Sequence, residues 1–183
     1  MKEPKLTTDQ LRTLIRTVPD FPSAGIQFRD ITTLIGDGAG LRASVQHLAK
    51  LADDAGAEAI AGMEARGFIF GAAVAAELGL GFVPIRKPGK LPVPTIGVDY
   101  ALEYGTDRLE MDPEGVSAGQ NVLMVDDLIA TGGTALAAAQ LLRQASARVG
   151  HALFVIDLPD LRGADKLRKA DVTVQSLMDF AGD

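Results

Sequence analysis

The chain has 183 residues, 47% of them hydrophobic and 23% charged, with no cysteine and a formal charge of −6. That length fits one domain spanning 1–183 with a sizeable core. The acidic balance argues against nucleic-acid binding, the missing cysteines exclude disulfides and thiolate metal sites, and no stretch approaches the ~20 apolar residues a membrane helix needs. The start, Met1 to Arg16, is mixed and polar, without the apolar core of a signal peptide. Together with the lack of cysteine this suits a reducing cytoplasm.

Thr7 to Thr17 is predicted as an amphipathic helix, with Leu11, Leu14 and Ile15 at helical spacing, ending before Pro19 and Pro22. Gly36, Gly38 and Gly40 read as a loop before a second helix, Leu41 to Ala52. Glu58 to Ala61 is a short apolar run and a predicted buried strand. Gly67 to Leu78 follows as a helix, stopped by Gly79-Leu80-Gly81. Phe82 to Ile85 is another short strand. Lys87 to Asp99 carries three prolines and two glycines and reads as a long loop of the kind that forms lids. Asn121 to Val125 is a strand, Thr134 to Ala147 a helix with Ala135, Ala138, Ala139 and Leu142 on one face. Leu153 to Ile156 and Val172 to Val174 complete the strands. This alternation predicts an α/β fold with a mostly parallel central sheet flanked by helices.

The chemistry concentrates in Val125-Asp126-Asp127-Leu128-Ile129-Ala130-Thr131-Gly132-Gly133-Thr134. A strand leads into two acids and a glycine turn, and a helix begins after it. In open α/β sheets ligands sit beyond the carboxyl ends of strands. Glycines let backbone N–H groups close on an anion, and the helix adds its positive end. Ala130 to Thr134 therefore suits a monophosphate, with hydroxyl donors at Thr131 and Thr134. Asp126 and Asp127 suit two vicinal hydroxyls or a hydrated magnesium ion. No Gly-Lys-Ser/Thr and no G-x-G-x-x-G is present, so neither a P-loop nor a dinucleotide fingerprint applies. Arg66, at a turn between Gly62 and Gly67, can clamp phosphate oxygens. Arg86, Lys87 and Lys90 form a basic cluster. His47 and His151 match no motif and read as structural or surface residues.

The ten-residue segment resembles the phosphoribosyl-pyrophosphate (PRPP) motif of type I phosphoribosyltransferases. Four further segments, in order, resemble the adenine phosphoribosyltransferase family: Phe21-Pro22 through Gly25 to Phe28-Arg29-Asp30-Ile31, Glu64-Ala65-Arg66-Gly67-Phe68, Arg86 to Pro92, and Leu102-Glu103-Tyr104-Gly105. The resemblance spans nearly the whole chain. It implies the type I fold, with a hood at about 1–35, a core at about 36–183 and a flexible lid loop. It implies transfer of the phosphoribosyl group from PRPP to N9 of adenine, giving AMP and pyrophosphate in purine salvage.

By the same resemblance Ala130 to Thr134 would hold the 5′-phosphate and Asp126 and Asp127 the ribose hydroxyls. Arg66, Lys87 and Lys90 would face pyrophosphate, in a loop with a non-proline cis peptide between Glu64 and Ala65. Gln27, Phe28, Arg29 and Leu158 would line the adenine pocket, and Tyr104 would help close the lid. Ala24 and Gln27 depart from the family, which usually has proline and an apolar residue there. The 6-oxopurine relatives carry a catalytic Asp where this chain has Ala130, so Glu103 is the implied catalytic group and adenine the implied base. Mg2+ is implied as cofactor, bound mainly through PRPP and water, and a cytoplasmic homodimer as the assembly. Competing readings are a transferase for another purine such as xanthine and a non-catalytic PRPP-sensing regulator. The latter normally carries an added DNA-binding domain, for which this chain has no room.

Overall fold

The computed structural model describes residues 3–101 and 105–182, so Glu103 and Tyr104 lie outside the described residues. Helix α1 (Thr8–Thr13) opens with a capping box: the Thr7 hydroxyl accepts from the Gln10 amide at 3.3 Å, and the Gln10 side chain accepts from the Thr7 amide at 2.9 Å. The predicted helix to Thr17 stops early because Arg16 to Pro19 forms β1, paired antiparallel with β2 (Gln27–Asp30). Asp30 fixes that hairpin by accepting from the Arg16 guanidinium and from the Thr32 hydroxyl and amide. Those bonds, Thr32 first and then Arg16, hold the Asp30 carboxyl down at about 2.

The glycine run at 36–40 is helical rather than a loop. It belongs to α2 (Thr32–Gly36) and α3 (Gly38–Asp54), with Asp37 capping α3 through the Gly40 amide at 2.7 Å. Packing explains Gly40: a Cβ there would stand 2.6 Å from a methyl of Leu14 and 2.9 Å from one of Leu34. The glycine keeps α1, α2 and α3 in close contact.

Five parallel strands form the central sheet in the order β4-β3-β7-β8-β9. They are β3 (Ala59–Met63), β4 (Gly81–Ile85), β7 (Val122–Ile129), β8 (His151–Asp157) and β9 (Thr173–Asp179). Alternation along β7 shows why both faces are covered. Val122 and Met124 pack on one core with α5 (Gly133–Gln144) and α6 (Gly163–Arg168), while Leu123 and Val125 pack on the other with α3 and α4 (Arg66–Leu78). The expected α/β class is thus present, with longer strands than predicted.

A second hairpin, β5 (Ile96–Ala101) with β6 (Thr106–Met111), packs against α5. It corrects the reading of Lys87 to Asp99 as loop throughout: only 87–95, which holds all three prolines, is irregular. The apolar Ile96 and Val98 alternate toward the core from an edge hairpin, a pattern the adjacent prolines hid.

From β3 the chain steps outward to β4, then returns to lay β7 on the other side of β3. The direction of winding therefore reverses between β3 and β7. The loops leaving the carboxyl ends of these two strands diverge and leave a crevice, where ligands of open α/β sheets bind.

Candidate active site

Both loops at the crevice carry residues singled out from sequence. After β3 come Glu64, Ala65 and Arg66, with a cis peptide between Glu64 and Ala65 as the resemblance implied. After β7 come Ala130 to Thr134. They line one polar cavity of about 230 Å³, together with Asp126, Asp127 and Leu128. Helices α4 and α5 both start here, and neither has a side-chain cap. The first residues of both helices line this cavity, and a helix start is a favourable place for an anion. Gly132, with φ +78°, turns the chain into α5 in a conformation other residues rarely adopt.

Asp126 and Asp127 lie within β7, just before its last two residues, and are committed differently. Asp127 is buried, and its carboxylate accepts from the Arg66 guanidinium. Burial of Arg66 works against its charge, yet the hydrogen bond and charge of Asp127, with Asp126 beside it, outweigh this and keep the guanidinium protonated. Asp126 accepts the Asp127 amide at 2.8 Å. Desolvation, then the neighbouring Asp127 charge, pushes its carboxyl well above the usual range. Arginine holds one acid and burial works against the charge of the other, and among the described residues no group of three or more His, Asp or Glu side chains is placed to hold a metal.

A second cavity of about 300 Å³ adjoins the first and shares Arg66, Asp127, Leu128 and Ala130 with it. Its other walls are Ile26 to Thr32 of the β2 region and Leu158 after β8, so the four residues expected around a base do meet. Phe28 is braced edge-on by Phe21, ring centroids 5.1 Å apart. Arg29 is used otherwise than a base-binding side chain. Its guanidinium donates to the Thr17 hydroxyl at 2.7 Å and to the carbonyls of Ala181 and Gly182 at 3.2 Å, and lies over the Phe180 ring. Its side chain thus clasps β2 to the C-terminal segment.

The basic cluster is divided. Arg86 binds the Glu64 carboxylate through two nitrogens at 3.2 and 3.3 Å and donates to the Lys90 carbonyl at 2.8 Å. The Lys87 amide completes the hold on Glu64 at 3.0 Å. That amide first, then the Arg86 contact, lowers the Glu64 pKa. The Lys87 ammonium sits on the hairpin, bonded to Asp107 and to the Tyr100 hydroxyl at 3.0 Å. Burial opposes its charge, but these two bonds outweigh burial and raise its pKa. Tyr100 in turn accepts from the Thr134 hydroxyl at 3.4 Å and donates to Asp107 at 3.1 Å. Among the described residues lining either cavity, Lys87 and Lys90 are not found.

Tyr100 and Asp107 were not singled out from sequence, and Glu64 was named only as part of its loop, with no role of its own. Tyr100 and Asp107 are cross-strand partners at the end of the hairpin, symmetric about 102–105. An alternating pattern on both sides of Leu102-Glu103-Tyr104-Gly105 was the signal available for them. The two histidines stand away from both cavities; His47 contacts the Leu6 carbonyl at 2.8 Å.

The family model of the phosphoribosyl transferase domain matches residues 37–181. An adenine phosphoribosyltransferase of Novosphingobium aromaticivorans is 71% identical over 177 residues, covering 97% of this chain and 99% of the relative. The crystal structure of the adenine phosphoribosyltransferase from Thermoanaerobacter pseudethanolicus superposes with a TM-score of 0.90 at 45% identity, over 95% of this chain and all of that one. The Saccharomyces cerevisiae enzyme, solved with adenine and D-2,5-dideoxy-2,5-imino-altritol 1,6-bisphosphate, gives 0.88 at 37% identity over 93% and 97% of the two chains. The crevice between β3 and β7 is thus set in a type I phosphoribosyltransferase fold, and the chain belongs to the adenine phosphoribosyltransferase family.

Proposed function

We propose that the protein transfers the 5-phosphoribosyl group of PRPP to N9 of adenine, releasing pyrophosphate and forming AMP for purine salvage. The observation that carries this is the pair of adjoining cavities. One is polar and built at two helix starts, the other is mostly apolar and walled by Phe28 and Leu158, and Asp127 lines both, with Asp126 beside it in the first. A nucleotide has that same order of phosphate, ribose and base.

In this reading the amides and hydroxyls of Ala130 to Thr134 hold the 5′-phosphate, and Asp126 and Asp127 orient the ribose hydroxyls. Arg66 leaves Asp127 for the pyrophosphate, where Lys87 and Lys90 add positive charge once the hairpin closes. The bond from C1′ to the pyrophosphate oxygen breaks as the C1′–N9 bond forms. Positive charge grows on the ribose and negative charge on the leaving group, so fixed positive groups lower the barrier. Glu103 manages the N9 proton, and Tyr104 helps exclude water. Phe28, Leu158 and the main chain of Gln27 and Arg29 hold the base. Magnesium would be carried mainly by PRPP oxygens and water, near Asp126 and Asp127, and would withdraw charge from the departing pyrophosphate.

Residues up to about 35 act as a hood over the base, and the rest as the core of one domain. The protein works as a homodimer in the cytoplasm. Ile69, exposed on α4, and a groove lined by Leu41, Val45, Ala73 and Ala76 together with Arg42, Gln46 and Glu77 support the dimer. Sedimentation as a monomer at micromolar concentration would remove it.

Glu103→Ala tests the catalytic assignment. Turnover should fall by roughly 100- to 10,000-fold while the affinity for PRPP changes little, the usual range for losing a general acid–base group. An unchanged turnover number removes Glu103 from the mechanism.

A further inference from the structure

Gly163 lies beyond both cavities' linings, yet it touches the proposed phosphate loop through backbone alone. A Cβ built on Gly163 would overlap the Ala130 carbonyl oxygen and stand 2.7 Å from the Gly132 nitrogen. A Cβ on Gly132 would meet the Gly163 oxygen at 2.7 Å and its Cα at 2.9 Å. Real Cβ atoms do not tolerate such separations, and backbone on both sides cannot swing away as a side chain tip would. The two glycines are therefore matched faces of one contact.

The reasons for glycine differ between them. Gly132 has φ +78° and needs glycine for its conformation as well. Gly163 has no such φ, so alanine could adopt its backbone angles; only the contact forbids a side chain. Behind it stands Arg162, held at φ 56°, which turns the chain so that α6 starts against the loop. Both glycines are held by the sheet. Leu158 donates its amide to the Ile129 carbonyl at 3.0 Å, locking the segment after β8 to the end of β7.

We infer that Gly163 is a positioning residue for phosphate binding: it is the floor on which Ala130 to Gly132 rest, fixing the direction of the amides that face the 5′-phosphate. It touches no substrate. The inference rests on the reading of Ala130 to Thr134 as the phosphate loop and specifies what holds that loop in shape.

Gly163→Ala and Gly132→Ala, assayed with PRPP and adenine, test it. Both should raise the KM for PRPP, and the Ki of ribose 5-phosphate, by about tenfold or more, since displacements near 1 Å cost up to about 100-fold. The KM for adenine should stay within about twofold, which a general loss of structure would not allow. A defect in Gly132→Ala with normal PRPP kinetics in Gly163→Ala overturns the inference and leaves the phosphate loop standing. Normal kinetics in both variants overturn the phosphate assignment and the inference with it. If Gly163→Ala does not fold, amide hydrogen exchange of the unmodified protein decides. Saturating ribose 5-phosphate should slow exchange at 163–168 as well as at 130–136. Protection confined to 130–136 overturns the inference.

Discussion

Asp126 and Asp127 face different partners although they are neighbours on β7. Asp127 meets a guanidinium, whereas Asp126 is desolvated beside another acid, which raises its hold on a proton well above the usual carboxylate range. The unfolded chain would release that proton above about pH 4. Between there and the raised folded pKa the native state binds more protons than the unfolded one, so Asp126 lowers stability as pH rises through that window. Asp126→Asn removes this cost, and the amide oxygen can still accept from the Asp127 N–H. Calorimetry of the ligand-free variant should show a higher Tm than the parent near about pH 7, with the gain shrinking toward about pH 3. A Tm below the parent's near neutrality would contradict the protonated assignment. Sequence made the acidic pair legible as acceptors but not this division, which depends on Arg66 arriving from the start of α4, 61 residues away. The same holds for Arg29: its position beside Phe28 was readable, but its clasp on Ala181 and Gly182 joins opposite ends of the chain.

The two ligand loops are set by the close approach of β3–α4 to β7. Gly67, at the start of α4, lies against Asp126: a Cβ there would stand 2.6 Å from its carboxyl oxygen and 3.2 Å from the Val125 carbonyl oxygen. Gly67→Ala should push the acidic pair out of line and raise the KM for PRPP by roughly 10- to 100-fold, as 1 Å misplacements do, while adenine binding holds. Steady-state kinetics check this; unchanged PRPP kinetics would show that the pair tolerates the shift. Helices α3, α4 and α5 were legible because their apolar spacing extends over several turns. The hairpins β1–β2 and β5–β6 were not. Each strand has only four to six residues, pairs at an edge and adjoins prolines, so alternation is brief. Their absence from the prediction also hid Tyr100 and Asp107, which meet only through cross-strand register.

Two cores, one on each face of the sheet, hold the crevice open at the switch between β3 and β7. Phe70 and Phe154 are fully buried on opposite faces. Phe154→Ala should cost about 3–5 kcal/mol in chemical denaturation, a large share of a domain's stability. A loss near zero would mean that the β8 face repacks without a cavity. The parallel sheet was predicted from alternating elements, but strand order was not, and strand order is what places the site. The base pocket shows the same limit. Gln27, Phe28, Arg29 and Leu158 meet in one cavity with Ala130. In the proposed reaction the Ala130 methyl supplies no proton-transfer group and Glu103 takes that role, which favours adenine. Incubating the purified protein with PRPP and magnesium beside adenine, hypoxanthine, guanine or xanthine, and measuring nucleotide and pyrophosphate together, decides the matter. The expected result is AMP in equal amount to pyrophosphate from adenine and little nucleotide from the others; IMP, GMP or XMP in the absence of AMP would contradict it.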